Sequence, residues 1–79
     1  MSRGDRYVKV VEWSDEDGCF IGSCPELFYG GCHGHDAKQV FAELCALVDD
    51  ALRSLEAAGK PLPQPLTRGE FGNLMQRSA

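Results

Sequence analysis

The sequence lacks a long hydrophobic run and an apolar amino-terminal region. No apolar run in the 79 residues approaches the length of about 20 residues that a membrane-spanning helix needs. The chain begins with Met-Ser-Arg-Gly-Asp-Arg, which does not form the apolar region of a signal peptide. We therefore expect a cytoplasmic protein that makes no membrane contact. At this length we expect one domain, near the lower size limit for a stable hydrophobic core, and we expect oligomerisation to add stability.

The sequence is also poor in basic residues. It has 12 acidic and 8 basic residues, a formal net charge of -4. Direct nucleic-acid binding by the folded domain is not expected, because neutralising phosphates requires a basic patch. A basic protein is the more natural partner for such a surface.

Paired metal-ligand motifs are missing as well. The 4 cysteines include no Cys-x-x-Cys pair, and a reducing compartment favours free thiols over disulfides. Cys32, His33 and His35 are close in sequence, but on a strand both histidines would face away from the cysteine. We expect no metal and no cofactor.

Catalytic constellations are not evident. No serine lies in a nucleophile elbow, and the glycines do not fit a dinucleotide-binding spacing. We therefore predict that the protein is not an enzyme. An enzymatic alternative, a small metal-dependent nuclease or thiol-dependent hydrolase, would have to use Asp15, Glu26, Asp36, Cys32 and His33.

The stretch from Gly34 to Gly59 predicts one long amphipathic helix. Asp36 is a good N-cap, Gly59 suits the left-handed position that ends many helices, and prolines follow it. Apolar residues recur at helical spacing, with Leu47 and Val48 as alternatives at one position. The predicted stripe contains Val40, Leu44, Leu47 or Val48, Ala51 and Leu55, widened by Phe41, Cys45 and Leu52.

Three strands are predicted before this helix, at residues 6–13, 19–24 and 31–35. Asp17-Gly18 is typical of a hairpin turn, and Pro25 ends the second strand. A short fourth strand at Leu66-Thr67 would follow the helix. The fold class is therefore α+β, a two-layer β-β-β-α-β arrangement whose antiparallel sheet is covered on one face by the helix. We place the domain at residues 1–66 and a flexible tail at 67–79.

Alternation along the first strand predicts which residues remain uncovered. Val8 and Val10 are assigned to the helix side, which leaves Tyr7, Val11 and Trp13 on the bare side of the sheet. Together with Glu12 and the acidic turn, these aromatic residues predict a protein-binding surface. Burial of the same surface in a homo-oligomer is an equally open alternative.

Several short motifs in order resemble the HicB-like antitoxin family, over about residues 6 to 65. They are Tyr7-Val8-Lys9-Val10-Val11-Glu12-Trp13, Asp15-Glu16-Asp17-Gly18, Cys24-Pro25-Glu26-Leu27, Gly31-Cys32, Gly34-His35-Asp36 and Ala58-Gly59-Lys60-Pro61-Leu62-Pro63. Asp36 stands where the family commonly has threonine, and residues 38–41 replace the usual Glu-Glu-Ala-Leu.

The resemblance implies a partial ribonuclease-H-like fold without nuclease carboxylates. It implies a non-catalytic antitoxin that forms a homodimer or homotetramer and neutralises a small, basic HicA-type mRNA interferase toxin. Family members often carry a further DNA-binding unit, and residues 67–71 resemble the linker before it. The residues expected to bind the partner are Tyr7, Val11, Glu12, Trp13, Asp15, Glu16, Asp17 and Glu26. The alternative is an orphan homo-oligomeric interaction or small-ligand module of the same family.

Overall fold

A computed structural model describes residues 3–67, 69 and 70 of the chain. Within these residues, the elements with defined bounds are a 3-10 turn, Arg3–Arg6, the strands β1 (Val10–Ser14), β2 (Cys19–Cys24) and β3 (Phe28–Gly34), and the helix α1 (Ala37–Ala57). The strands form one antiparallel sheet in the order β1-β2-β3. The predicted α+β class, with three antiparallel strands followed by one long helix, is confirmed.

The ends of α1 form as the sequence predicts. The Asp36 carboxylate accepts a hydrogen bond from the Lys38 N–H at 3.0 Å. Gly59 has a φ of 71°, and the Lys60 N–H donates to the Leu55 carbonyl at 2.9 Å. This pattern is a Schellman motif, which satisfies the last carbonyls of the helix.

One face of α1 forms the core with the sheet. Val48, not Leu47, occupies the central position that the sequence left open, because Leu47 is 37% exposed. Tyr7, Cys24 and Cys32 complete the buried cluster from the other side. The four fully buried helix residues are Val40, Leu44, Val48 and Leu52.

A glycine sets the distance between the helix and the sheet. A Cβ on Gly22 would lie 2.8 Å from the Cys32 sulfur and 3.1 Å from a Val40 methyl carbon. No side chain larger than hydrogen fits this gap without displacing its neighbours. The sheet face that carries Gly22 is therefore the face that α1 covers.

The predicted face assignment of the first strand is wrong. Val11 pairs with Gly22, and residues directly opposite each other in a sheet share a face. Val11 and, by alternation, Trp13 lie on the helix side, whereas Val10 and Glu12 lie on the bare side. The strand also starts later than predicted, at Val10, because residues 3–6 form the 3-10 turn.

The position of Tyr7 also differs from the prediction. Its side chain is only 8% exposed and belongs to the core cluster. Its hydroxyl donates to the Pro63 carbonyl at 2.5 Å, which ties the start of the domain to the segment after the helix. Tyr7 therefore belongs to the core and not to the bare sheet face.

The segment after α1 returns along the domain without pairing as a strand. Residues 60–67 have no regular structure, so the predicted fourth strand at Leu66-Thr67 is not formed in the described part of the chain. Leu62 packs against the core, and the Leu66 N–H donates to the Glu26 carboxylate at 2.9 Å. A side-chain acceptor thus replaces the carbonyl of a neighbouring strand.

The predicted tail falls mostly on residues 68 and 71–79, which lie outside the described residues. Within the described part, the Glu70 N–H donates to the Thr67 hydroxyl at 3.1 Å, and the Thr67 N–H donates to the Glu70 carboxylate at 3.0 Å. This reciprocal pair is a capping box. The pKa of the Glu70 carboxyl is lowered, first by the bond from the Thr67 N–H and second by the Thr67 side chain, because both favour the charged form of the carboxyl.

Candidate partner-binding surface

The turn between β1 and β2 presents three carboxylates to solvent. Gly18 takes a φ of 66°, and its N–H donates to the Ser14 carbonyl at 2.8 Å. The Ser14 hydroxyl donates to the Asp17 carboxylate at 2.9 Å, which fixes the turn from inside. Asp15, Glu16 and Asp17 are all exposed, and we refer to these three residues as the acidic hairpin.

Trp13 lies beside the acidic hairpin, at the end of β1. Its indole N–H donates to the Asp15 carboxylate at 2.8 Å. Its ring meets that of Phe20 edge to face, with centroids 5.1 Å apart and planes at 76°. The side chain nevertheless remains 51% exposed. Trp13 is therefore held by two contacts while half of its surface is open to a partner.

Phe41 adds a second exposed aromatic ring at the same end of the domain. Gly34, which pairs with Phe20, lies against Val40, so the first turn of α1 is above this end of the sheet. Phe41 is 47% exposed. It lies on the same side of the helix as Asp49, because the two positions are eight residues apart and residues four apart are neighbours on a helix surface.

That helix side faces the amino-terminal turn and not β3. A Cβ on Gly4 would contact the Asp49 carboxylate, whereas Glu43 and Leu47 line a groove beside β3. Phe41 is thus on the side of the helix away from the groove beside β3. We call Trp13, Phe20, Phe41 and the acidic hairpin together the acidic–aromatic surface.

In the described part of the chain, no cation neutralises the charge of the acidic hairpin. Among the residues whose side chains the structure describes, no lysine or arginine forms an ion pair with the carboxylates of the hairpin. Arg53 pairs with Asp50 at 2.8 Å on the outer side of the helix, and the Lys9 ammonium donates to the Gly4 and Tyr7 carbonyls. The surface therefore offers uncompensated negative charge to an external cation.

The structure divides the predicted partner-binding residues into separate groups. Trp13 and the acidic hairpin lie together on the acidic–aromatic surface. Val11 faces α1, and Glu12 projects from the opposite face of the sheet, where it is exposed across from Ile21. Tyr7 is in the core. No single surface collects all of these residues.

Glu26 is also separate, because its carboxylate joins distant parts of the chain. One oxygen accepts hydrogen bonds from the Val8 N–H at 3.1 Å and the Leu66 N–H at 2.9 Å. The other oxygen lies 3.5 Å from the Cys24 sulfur, which donates to it. We call Val8, Glu26 and Leu66 the Glu26 junction. It connects the segment before β1, the β2–β3 turn and the segment after α1.

Cys24 experiences the Glu26 charge directly. The thiol is fully buried, and its pKa is raised to about 11, first by burial and second by the nearby carboxylate. It is thus protonated at neutral pH. A thiol in this state is a poor nucleophile, and its role in the fold is that of a small buried side chain.

Cys32 and His33 point away from each other, as their positions on a strand predict. The Cys32 sulfur lies under the helix, donates to the Val40 carbonyl at 3.4 Å and has a raised pKa because of burial and the charge of Glu43. His33 is exposed on the other face, beside Ile21. In the part of the chain that the structure describes, no group of three potential metal ligands occurs, and all four cysteines are free thiols.

The β3 side of the domain has grooves and an exposed tyrosine in place of the carboxylates of the acidic–aromatic surface. A groove of about 470 Å³ between β3 and α1 is lined by residues that include His33, Glu43 and Leu47. Tyr29, on the same strand, is 71% exposed. A second groove next to the carboxyl end of α1 is lined by apolar side chains that include Phe28 and Leu55.

Sequence reasoning missed the contribution of Phe20 and Phe41. Phe41 was placed in the apolar stripe of α1, and only the position of the helix on the sheet shows that it lies at the stripe's margin. Phe20 follows the turn at a position that pairs with Trp13. The sequence does contain a signal for Phe20. Trp13 and Phe20 lie at matching distances before and after the turn at residues 15–18, and residues that pair across a hairpin share a face of the sheet.

Comparisons with known proteins give no relative of this chain. No family model, curated protein or solved structure matches it. The resemblance to the HicB-like antitoxins therefore rests on the order and spacing of the motifs between residues 6 and 65. In the described residues, no helix is long and apolar enough to cross a membrane.

Proposed function

We propose that this protein is a non-catalytic, antitoxin-like binding protein that neutralises a small basic mRNA interferase of the HicA type. The observation that carries the proposal is a half-exposed tryptophan held beside three carboxylates that no described cation neutralises. A surface of this kind is complementary to a basic protein. The motif order that resembles the HicB-like family identifies which basic protein to test first.

The acidic–aromatic surface has the composition of a protein interface. Exposed aromatic rings supply the apolar contact area that is desolvated at the centre of an interface, and charged groups belong at its rim. Trp13 and Phe41 would form the centre, and the acidic hairpin would form the rim. The carboxylates would accelerate association with a basic partner and select against acidic ones.

Neutralisation by such a surface requires no chemistry on the part of this chain. A toxin that cleaves mRNA must bind a polyanion, so its active site is expected to be basic. Binding of the acidic–aromatic surface over that site would exclude RNA by competition for the same positive charge. The affinity of the complex should therefore fall as the salt concentration rises, since exposed ion pairs are screened.

The experiment that tests this proposal is affinity capture from the source lysate. The tagged chain is used as bait, stoichiometric partners are identified by mass spectrometry, and the complex is sized by light scattering. We expect a small basic protein whose RNA cleavage stops when this chain is added. Capture of no basic protein, or a captured nuclease that remains active in the complex, would refute the proposal.

A matched pair of variants shows whether the proposed surface is used. The first, D15N/E16Q/D17N, removes three charges from the acidic hairpin. The second, E43Q/D50N/E56Q, removes three charges from α1. We expect roughly tenfold weaker binding in the first and little change in the second, from about 0.5 kcal/mol per rim pair. Equal losses would indicate an effect of net charge alone.

A second candidate function is a homo-oligomeric module without a toxin. The exposed Tyr29 and Leu47 on the β3 side favour it, because a second copy of the chain could bury them. Light scattering on the purified chain distinguishes the two candidates. A stable oligomer that the Leu47→Asp change converts to monomer, with no captured partner, would support the module.

A further inference from the structure

The position of the Trp13 indole is fixed before any partner arrives. Asp15 binds its N–H at 2.8 Å, and Phe20 packs against the ring with centroids 5.1 Å apart. Exposed aromatic side chains normally lose rotamer freedom when they bind, which weakens the complex. Trp13 has already lost much of this freedom in the free domain, so its exposed surface is preorganised for binding.

Few kinds of ligand group can bind at Trp13. The indole has a single hydrogen-bond donor, and Asp15 already accepts it. A partner therefore meets an aromatic face with negative electrostatic potential and, beside it, an ionised carboxylate with unused lone pairs. Neither group donates a hydrogen bond. A cationic donor is the ligand that satisfies both.

Arginine fits this arrangement better than lysine. The guanidinium is planar, so it stacks on an aromatic face and can still donate N–H groups in its own plane to a carboxylate. An ammonium group is compact and strongly hydrated, and it uses the two partners less well. The 2.8 Å bond holds the Asp15 carboxylate at the edge of the Trp13 ring, where a stacked guanidinium would present its N–H groups.

No cation in the described part of the chain forms an ion pair with Asp15. In the described residues, Arg53 is paired with Asp50, and Lys9 donates to carbonyls of the amino-terminal segment. The charge of Asp15 is thus available to a residue from outside. The neighbouring carboxylates of Glu16 and Asp17 raise the local negative potential further.

We propose that Trp13 and Asp15 form a binding site for a single arginine side chain of a protein partner. This inference rests on the proposed function for the identity of the partner, since a basic toxin would supply the arginine. The arginine site itself is a property of the free domain. It is therefore testable without the toxin.

The chain carries its own probe for the test. Trp13 is the single tryptophan of the sequence, so intrinsic fluorescence reports on this position alone. The probes are three blocked tripeptides, acetyl-Gly-X-Gly-amide, where X is arginine, lysine or the neutral arginine analogue citrulline. We expect saturable binding in the order arginine, lysine, citrulline, and a matching shift of the indole N–H signal in NMR spectra.

The variant Asp15→Asn tests the role of the carboxylate. Asparagine keeps an oxygen that can accept the indole N–H but removes the charge. The matched control is Asp17→Asn, which removes the same charge from the same turn, where the carboxylate contacts Ser14 and not Trp13. We expect about fivefold weaker binding of the arginine peptide to Asp15→Asn, and less than a twofold change for the control.

Three results would overturn the arginine site. They are equal responses to the arginine and citrulline peptides, equal losses in the two variants, and NMR shifts that map to other residues while the Trp13 signal stays fixed. Failure of the proposed function would look different. In that case the arginine peptide binds as expected, but lysate capture yields no basic protein. If instead a basic toxin is captured and Asp15→Asn binds it as tightly as the parent chain does, the function stands without the arginine site.

Discussion

Glu26 and the acidic hairpin belong to the same residue class and to the same predicted binding set, but the structure uses them in opposite ways. The Glu26 carboxylate accepts two backbone N–H groups from segments far apart in the chain. The bonds that the carboxylates of Asp15 and Asp17 accept within the described residues come from Trp13 and Ser14, two and three positions away. The first carboxylate holds the domain together, and the others leave their charge available to a partner.

This difference shows how burial and sequence separation divide structural from functional carboxylates. A carboxylate that satisfies buried donors stabilises the fold and has little capacity left for a ligand. A carboxylate on a solvated turn contributes little to stability, so it can be kept for binding at low cost. The amino-acid sequence alone does not distinguish a structural carboxylate from one that is open to a ligand.

Replacing Glu26 by alanine should cause the largest loss. The Val8 and Leu66 N–H groups would lose a charged acceptor in a partly buried setting. We expect the free energy of unfolding to fall by about 3 kcal/mol, since a hydrogen bond to a charged group contributes roughly 1.5 to 3 kcal/mol. Urea titration followed by circular dichroism measures this. Glu16→Ala is the control, and similar losses in both variants would contradict the comparison.

Raising the pH should cause the second-largest loss of stability, through ionisation of Cys24. Its folded pKa of about 11 lies above the ordinary thiol value of 9.0, so the native state retains a proton that the unfolded state releases. Stability from this group is complete below about pH 9 and is lost as the pH rises towards about pH 11, by up to about 2 kcal/mol. Urea titrations at several pH values should show this fall in the parent chain and a shallower one in Cys24→Ala.

The same thiol connects this effect to Glu26. Glu26→Gln removes the charge that contributes to the raised pKa of Cys24, while burial remains. The pKa of Cys24 should therefore fall part of the way towards the ordinary value. The pH dependence of its alkylation rate, followed by mass spectrometry, measures the shift. An unchanged profile would show that burial alone sets the pKa.

Asp36 should give an intermediate effect. It caps α1 through one exposed bond to the Lys38 N–H. Asp36→Ala should lower the free energy of unfolding by about 1 kcal/mol, the usual value of an N-cap. Lys38→Ala is the control, because it leaves the backbone donor in place. Thermal unfolding of the two variants under identical conditions tests the difference, and a larger loss in Lys38→Ala would exclude the capping explanation.

Neutralising the acidic hairpin should have the smallest effect on stability. Each single change, Asp15→Asn, Glu16→Gln or Asp17→Asn, should alter the free energy of unfolding by less than about 0.5 kcal/mol, as expected for exposed sites. Urea titration provides the check. A loss of 2 kcal/mol or more in any of them would place the hairpin with Glu26 as a structural element and remove the contrast on which the proposed function depends.

The helix was predictable because its signals are local. Asp36, Gly59 and the apolar repeat act within a few residues of one another, and the structure places both ends of α1 where they indicate. The hairpin turn and β2 were predictable for the same reason, whereas β1 begins at Val10 and not at residue 6, and β3 begins at Phe28 and not at residue 31. Asp17-Gly18 forms its turn from contacts within residues 14–18.

The orientation of β1 was not predictable from its own residues. Both of its faces carry apolar side chains, so alternation gives two equally good solutions. The choice is made by Gly22, which pairs with Val11 and is small enough for α1 to approach. The residue that determines which face of β1 meets the helix is therefore in the neighbouring strand. It can be identified only when the register between β1 and β2 is known.

The ends of the domain were obscured for a related reason. A tyrosine before a valine-rich stretch favours a strand, but Tyr7 instead reaches Pro63 through its hydroxyl. Leu66 likewise meets a carboxylate and not a strand edge. Both contacts join residues that are far apart in sequence. The acidic hairpin and Trp13 were identified as candidate binding residues because their composition alone marks them.

The Glu26 junction also has a consequence for folding kinetics. It joins residues 40 positions apart, and the Tyr7–Pro63 bond joins residues 56 positions apart. Contacts that close such long loops are expected to form after the hairpin and the helix, once the transition state has been passed. Weakening the junction should therefore speed unfolding while the folding rate changes little. The lifetime of the native state, and with it the resistance of the chain to proteases, would then be controlled by the contacts of a single glutamate.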